Sequence, residues 1–160
     1  MCSDNKKMKK KILILNGPNL NRTGKRSPEM YGDEGFDTFV PALQRRFRAA
    51  FISYMQSNSE GELIDALQKA IADDDMCGVV LNPGAYAHYS LALADAVADA
   101  MECGLPVVEV HLSNIAGREE FRQKTLTGAR AKGVIAGLGL DGYTLAVSYL
   151  STLVDGPGAD

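Results

Sequence analysis

Cysteine is scarce and odd in number. Cys2, Cys77 and Cys103 are widely spaced and form no C-x-x-C pair, so neither a disulfide framework nor a zinc knuckle is indicated, and a reducing cytoplasm is the expected setting. Positive charge is not in excess either: 17 Lys and Arg stand against 20 Asp and Glu, with a pI near 5.4. A chain of that balance is not built to grip nucleic acid or an anionic membrane by bulk electrostatics, and an anionic ligand must meet a local cluster of cations. No apolar run reaches membrane-spanning length, and the opening MCSDNKKMKKK lacks the apolar stretch of a secretory signal. Residues 1–10 read as a disordered basic leader and 156–160 as a flexible tail.

Other absences narrow the chemistry. Neither G-x-G-x-x-G nor G-x-x-x-x-G-K-[ST] is present after the first strand, so no glycine-rich phosphate cradle speaks for a nucleotide. His88 and His111 are the only histidines and fall in no standard ligand spacing, so no metal is expected. Lysine is missing from the carboxyl end of every expected strand, which leaves a Schiff-base mechanism without an obvious nucleophile. A tyrosine, a histidine, a glutamate and arginines remain for acid and base work.

What is present is one globular domain, spanning residues 11–155. With 46% hydrophobic residues in 160, the chain can bury a real core but has no room for a second domain. Short β-branched runs alternate with longer amphipathic stretches, the pattern of β-α units feeding a parallel sheet. Strands are expected at Lys11 to Leu15, Phe51 to Gln56, Gly78 to Leu81, Pro106 to Leu112 and Gly133 to Gly137. Helices are expected to begin near Thr38, Ser59, Ser90 and Asp141. Ser59 with Glu62 has the spacing of a capping box, and Leu63, Ile64, Leu67, Ala70 and Ile71 repeat on one helical face. Gly104 should stop the third helix.

Residues 16–35, NGPNLNRTGKRSPEMYGDEG, hold four glycines, two prolines and three asparagines. A loop this long inside a compact domain is commonly a lid or a binding loop. Ligands of open parallel sheets collect beyond the carboxyl ends of the strands, where this sequence puts Asn16 and Asn19, then Asn82 through His88, then Glu109 through Asn114. Glu109 and His111 are two apart on a strand and share a side. Arg118 and Arg122, at i and i+4, would share a face if that segment is helical. Taken singly, a strand-end histidine is more often structural and an asparagine there more often a turn residue. Their convergence on one sheet edge is what argues for a ligand site, with the reaction unspecified.

The residues as a set resemble the type II 3-dehydroquinate dehydratases from about Lys11 to Leu150. A strand followed by N-G-P-N-L-N is present as Asn16 to Asn21, and a basic lid ending in P-x-x-Y-G as Pro28 to Gly32. Further blocks match at Gln56 to Asn58 with Glu60 to Glu62, at Leu81 to Ala85 with His88, at Glu109 to Asn114, at Arg118 to Arg122 and at Gly133 to Tyr143. The resemblance implies an α/β flavodoxin-like three-layer sandwich with a five-stranded parallel sheet of order 2-1-3-4-5. It also implies trimers assembling into a dodecamer and a cofactor-free hydro-lyase acting on 3-dehydroquinate in the shikimate pathway of aromatic amino acid biosynthesis.

By position it makes Tyr31 the base for the C2 proton, Arg26 the cation that lowers that tyrosine's pKa, and Asn19 a group holding the enolate through water. His111 becomes the acid for the departing C1 hydroxyl and Glu109 the carboxylate that orients it. Asn82, with Leu112 and Ser113, would hold the substrate carboxylate. His88, Arg122 and Asp95 would address the ring hydroxyls, Asp95 from a neighbouring subunit. The chain departs from the family pattern at Ala87, at Ala116-Gly117 and at Lys124 to Gly128, none of which is assigned to bond making. The rival reading is a flavodoxin-like module that holds a flavin or nucleotide without turnover.

Overall fold

A computed structural model describes residues 10–25, 29 and 33–154. Five strands, β1 (Lys10–Asn16), β2 (Ala50–Gln56), β3 (Met76–Asn82), β4 (Val107–His111) and β5 (Gly133–Ala136), form one parallel sheet in the order β2-β1-β3-β4-β5. This is the expected order. β1 takes in Lys10, the last residue assigned to the leader; residues 1–9 and 155–160 lie outside the described residues.

Alternation along the strands divides the core into two layers, because successive side chains point to opposite faces. Ile12 and Ile14 of β1, Val80 of β3 and Val108 and Val110 of β4 meet helices α1 (Phe36–Arg46) and α4 (Asp141–Val154). Leu15, Val79, Leu81 and Val107 meet α2 (Glu60–Ile71) and α3 (Leu91–Glu102) on the other face. Each fully buried Leu, Ile or Val contributes about 1.5–3 kcal/mol relative to exposure, so this two-sided burial is what fixes the register.

Local chemistry ends the helices. Ser59 caps α2 by accepting from the Glu62 N–H, but the return half of the capping box is absent. The Glu62 carboxylate instead accepts from the Ser57 hydroxyl, whose oxygen accepts the Ser59 N–H. The buried face of α2 is Leu63, Ala66, Leu67 and Ala70, with Ile64 and Ile71 at its margin. α1 begins at Phe36, two residues before Thr38, because the Phe36 ring is a core residue stacked on Tyr54 and set edge-on to Tyr143. α3 closes as anticipated: Gly104 adopts φ +81°, its N–H donates to Met101 O, and Leu105 N–H reaches back to Ala100 O, a Schellman motif.

Candidate active site

The strand order reverses between β1 and β3, and the loops leaving their carboxyl ends are sewn together. Gly17 N–H donates to Asn82 O at 2.7 Å, and a Cβ on Gly17 would stand 2.6 Å from Pro83 O, so only glycine permits this approach. Asn19 follows with φ +68°, in the left-handed region that asparagine tolerates better than most residues. Its N–H donates to Asn58 Oδ1, which also receives Gln56 Nε2. The β2 loop thereby braces the β1 loop.

Beyond these ends lies a cleft of about 300 Å³. It is lined by Asn19, Asn82, His88, His111, Leu112, Ser113 and Arg122, seven of the residues expected at the site, and also by Arg22 and Arg118. Arg22 was not singled out from the sequence, although it sits in the basic loop. Three guanidinium groups on one cleft supply the local positive field that a net-acidic chain needs for an anionic ligand.

Glu109 does not line the cleft; it stands behind His111, fully buried. Its Oε1 lies 2.6 Å from His111 Nε2, and both side chains leave the same face of β4. A carboxylate can only accept, so the hydrogen bond places a proton on Nε2 and leaves Nδ1 as the ring nitrogen not engaged by Glu109. Glu109 also accepts from Thr125 Oγ1 at 2.5 Å on Oε1 and from Thr127 Oγ1 on Oε2. Sequence reading missed both threonines because they return to the strand from 16 and 18 positions downstream. His88 stacks against His111 with ring centroids 6.2 Å apart, its Nδ1 donating to Lys124 O at 2.7 Å.

Asn82 is held at both ends of its amide. Oδ1 accepts from Gly84 N–H, and Nδ2 donates to the Tyr143 hydroxyl at 2.9 Å. Burial pushes the Tyr143 phenol well above its ordinary value, partly offset by the hydrogen bonds to Asn82 and Asn16.

The expected helical face carrying Arg118 and Arg122 is not formed. Ile115–Gly117 and Glu120–Arg122 are separate 3₁₀ turns, and Arg118 between them is extended. Both arginines still reach the cleft, joined through Glu119, whose Oε2 lies 3.5 Å from Arg118 Nε and 3.4 Å from Arg122 Nε. The Glu119 carboxyl is held below its usual value, first by its own backbone N–H and then by these two cations. Arg122 Nε is buried and makes no hydrogen bond of good geometry, while its guanidinium packs over the Phe121 ring. Asp95 is exposed on α3 and does not line the cleft of the single chain. Arg26 and Tyr31 lie outside the described residues.

Among the described residues no group of three His, Cys, Asp or Glu side chains is disposed to hold a metal ion. The arrangement offers instead a histidine backed by a buried carboxylate, beside three guanidinium groups and several amides. Such a set can donate a proton to a leaving oxygen while holding an anionic, hydroxylated substrate.

The chain matches the family model described as dehydroquinase class II over residues 10–151. It is 52% identical over 143 residues to the 3-dehydroquinate dehydratase of Bacillus licheniformis, covering 86% of this chain and 93% of that one. The Bacillus subtilis 3-dehydroquinate dehydratase is 50% identical over 141 residues, with 87% and 92% covered. The crystal structure of the type II dehydroquinase from Butyrivibrio crossotus superposes with a TM-score of 0.83 at 40% identity, over 89% of this chain and 98% of that one. These matches leave the flavin-module reading unfavoured: this chain belongs to the class II dehydroquinases.

Proposed function

We propose that the chain removes water from 3-dehydroquinate by anti elimination through an enolate, giving 3-dehydroshikimate, as a hydro-lyase of the shikimate pathway. The observation that carries the reading is His111, set at the floor of a cationic cleft with Nε2 committed to buried Glu109. Hydroxide leaves poorly, so a proton must be supplied at C1. An imidazolium stabilised by a carboxylate and turned to the cleft through Nδ1 is suited to supply it.

Tyr31 is the proposed base for the C2 proton. A free phenol titrates near about 10 and needs a fixed cation to act at neutral pH, which is the role given to Arg26 in the same loop. As negative charge develops on the ketone oxygen, a donor already aimed at it lowers the barrier, and Asn19 at the cleft wall, acting through water, is assigned to that oxygen. The substrate carboxylate is assigned to the Leu112-Ser113 segment and Asn82, the ring hydroxyls to His88 and Arg122. No cofactor enters this scheme.

Asp95 fits the scheme only if a second subunit delivers it, and the proposed assembly is of trimers building a dodecamer in the cytoplasm. Its exposure on α3, together with Tyr89 at 63% and Leu91 at 70% exposure just before it, supports an interface there.

The direct test mixes purified, metal-free protein with 3-dehydroquinate and follows the ultraviolet absorbance of the conjugated enone. Absorbance should rise in proportion to enzyme; no rise at high protein concentration would sink the assignment.

A further inference from the structure

The segment Lys124 to Gly128 is fastened to the elements that carry both histidines of the cleft. Leu126 N–H donates to Ala87 O at 2.7 Å, and Lys124 O accepts from His88 Nδ1, so one end of the segment is anchored on the turn that carries His88. The other end folds over Glu109. Thr125 Oγ1 accepts the Gly128 N–H at 3.0 Å, which leaves its own proton to donate to Glu109 Oε1 at 2.5 Å rather than to Thr127 Oγ1 at 3.2 Å. Thr127, fully buried, faces Glu109 Oε2. The approach requires a residue without a side chain: a Cβ on Gly128 would stand 2.9 Å from Glu109 Oε1 and 2.5 Å from Thr125 Cγ2.

We infer that Thr125 and Thr127 are positioning residues for proton donation, acting on His111 through Glu109. The inference rests on the reading of His111 as the acid. A fully buried carboxylate is costly to keep charged unless its lone pairs are filled. Here the two hydroxyls and the imidazole fill three of them. Hydrogen bonds donated to a carboxylate favour its ionised form, and an ionised Glu109 can hold His111 only through a proton on Nε2. The threonine pair therefore fixes the plane of the imidazole and keeps a proton on Nε2, so that Nδ1 is the nitrogen that takes up the transferable proton and, in the imidazolium, gives it to the leaving oxygen. A carboxylate that has lost either hydroxyl is freer to turn, and the imidazole loses its fixed direction.

The test compares Thr125→Val and Thr127→Val with Thr125→Ser and Thr127→Ser, valine being nearly isosteric with threonine and serine restoring the hydroxyl. Each valine variant should lose roughly tenfold or more in kcat with KM changed much less, the pattern of a lost transition-state interaction. The dependence of kcat on pH should change shape as well, since the imidazole would no longer be held in one direction. The serine variants should recover most of the rate. Folded valine variants with the parent's kcat and pH profile would overturn the inference, as would serine variants no better than valine, because loop packing alone would then matter. A readout independent of substrate and of variant folding is the imidazole nitrogen spectrum of the parent protein. A single neutral tautomer of His111 protonated on Nε2 is expected, and one protonated on Nδ1, or an averaged pair, would overturn it.

Discussion

Tyr143 reaches up from α4 to donate its hydroxyl proton to Asn16 Oδ1 at 2.7 Å, beneath the cleft floor. The Tyr143 hydroxyl oxygen in turn accepts from Asn82 Nδ2, so the carboxyl ends of β1 and β3 share one buried phenol. Phe36 and Phe39 pack edge-on to its ring.

Tyr143→Phe keeps those ring contacts and deletes only the oxygen. Two buried amides then lose a partner, and the expected cost is about 1–3 kcal/mol, measured by urea denaturation at pH 7. The sign with pH is fixed by the raised phenol pKa. Above the unfolded value of about 10 the unfolded chain sheds this proton while the folded chain retains it, so the parent loses stability there and the variant does not. The gap between the two should narrow as pH rises past 10; a gap independent of pH would mean the phenol is not held neutral.

A second prediction concerns the base of β1. Lys11 Nζ lies 2.9 Å from Asp73 Oδ2 and 3.6 Å from Asp75 Oδ2. The Asp73 hydrogen bond raises the Lys11 pKa most, and the Lys11 hydrogen bond is the chief cause lowering that of Asp73. The depressed carboxyl contributes stability that is present above its unfolded pKa and lost as pH falls through its folded one; the raised amine contributes below its own unfolded pKa and is lost as pH rises through its folded one. Asp73→Asn should therefore lower Tm slightly at neutral pH and low salt. That difference should fade as pH falls below the ordinary carboxylate range and shrink in 1 M salt, the pair being partly exposed. Persistence of the gap in acid would point to the Asp75 N–H held by Asp73 instead.

Strands were legible because parallel strands buried on both faces write short apolar runs that include β-branched residues, as in Gly78 to Leu81. Helix starts at Ser59 and Ser90 were legible through their caps. α1 was misplaced by two residues because its cap is Gly35, which bears no side-chain signal. The spacing of Arg118 and Arg122 suggested a helical face, but spacing alone does not make a helix, and the segment broke into two turns around an extended residue. His111 and Glu109 could be paired by strand alternation alone. Thr125 and Thr127 could not, since nothing local says that a loop will fold back onto β4. Arg26 and Tyr31 were singled out by resemblance.

For Tyr31, substitution by Phe is expected to leave the fold and ligand binding intact and to reduce kcat by several orders of magnitude, since a single proton-accepting oxygen is removed. Unchanged thermal denaturation with abolished turnover is the supporting pair of measurements. Near-normal turnover would take the base's role away from Tyr31.

The last prediction separates enolate chemistry from the imine route to the same dehydration. An imine would require a neutral lysine amine within reach of the substrate ketone, and borohydride would trap it as a covalent adduct. No lysine lines the cleft among the described residues, whereas Asn19, His111 and three arginines do. Lys25, Lys69, Lys124 and Lys132 are exposed, and Lys11 is committed to Asp73. Arginine stays protonated and cannot substitute as the nucleophile. Borohydride added with substrate should therefore leave the activity intact and add no mass to the protein, and EDTA should be equally without effect. Intact-protein mass spectrometry decides the matter: an adduct localised to Lys25, the lysine nearest in sequence to the proposed base, would replace the enolate scheme built on Tyr31, Asn19 and His111 with a covalent one.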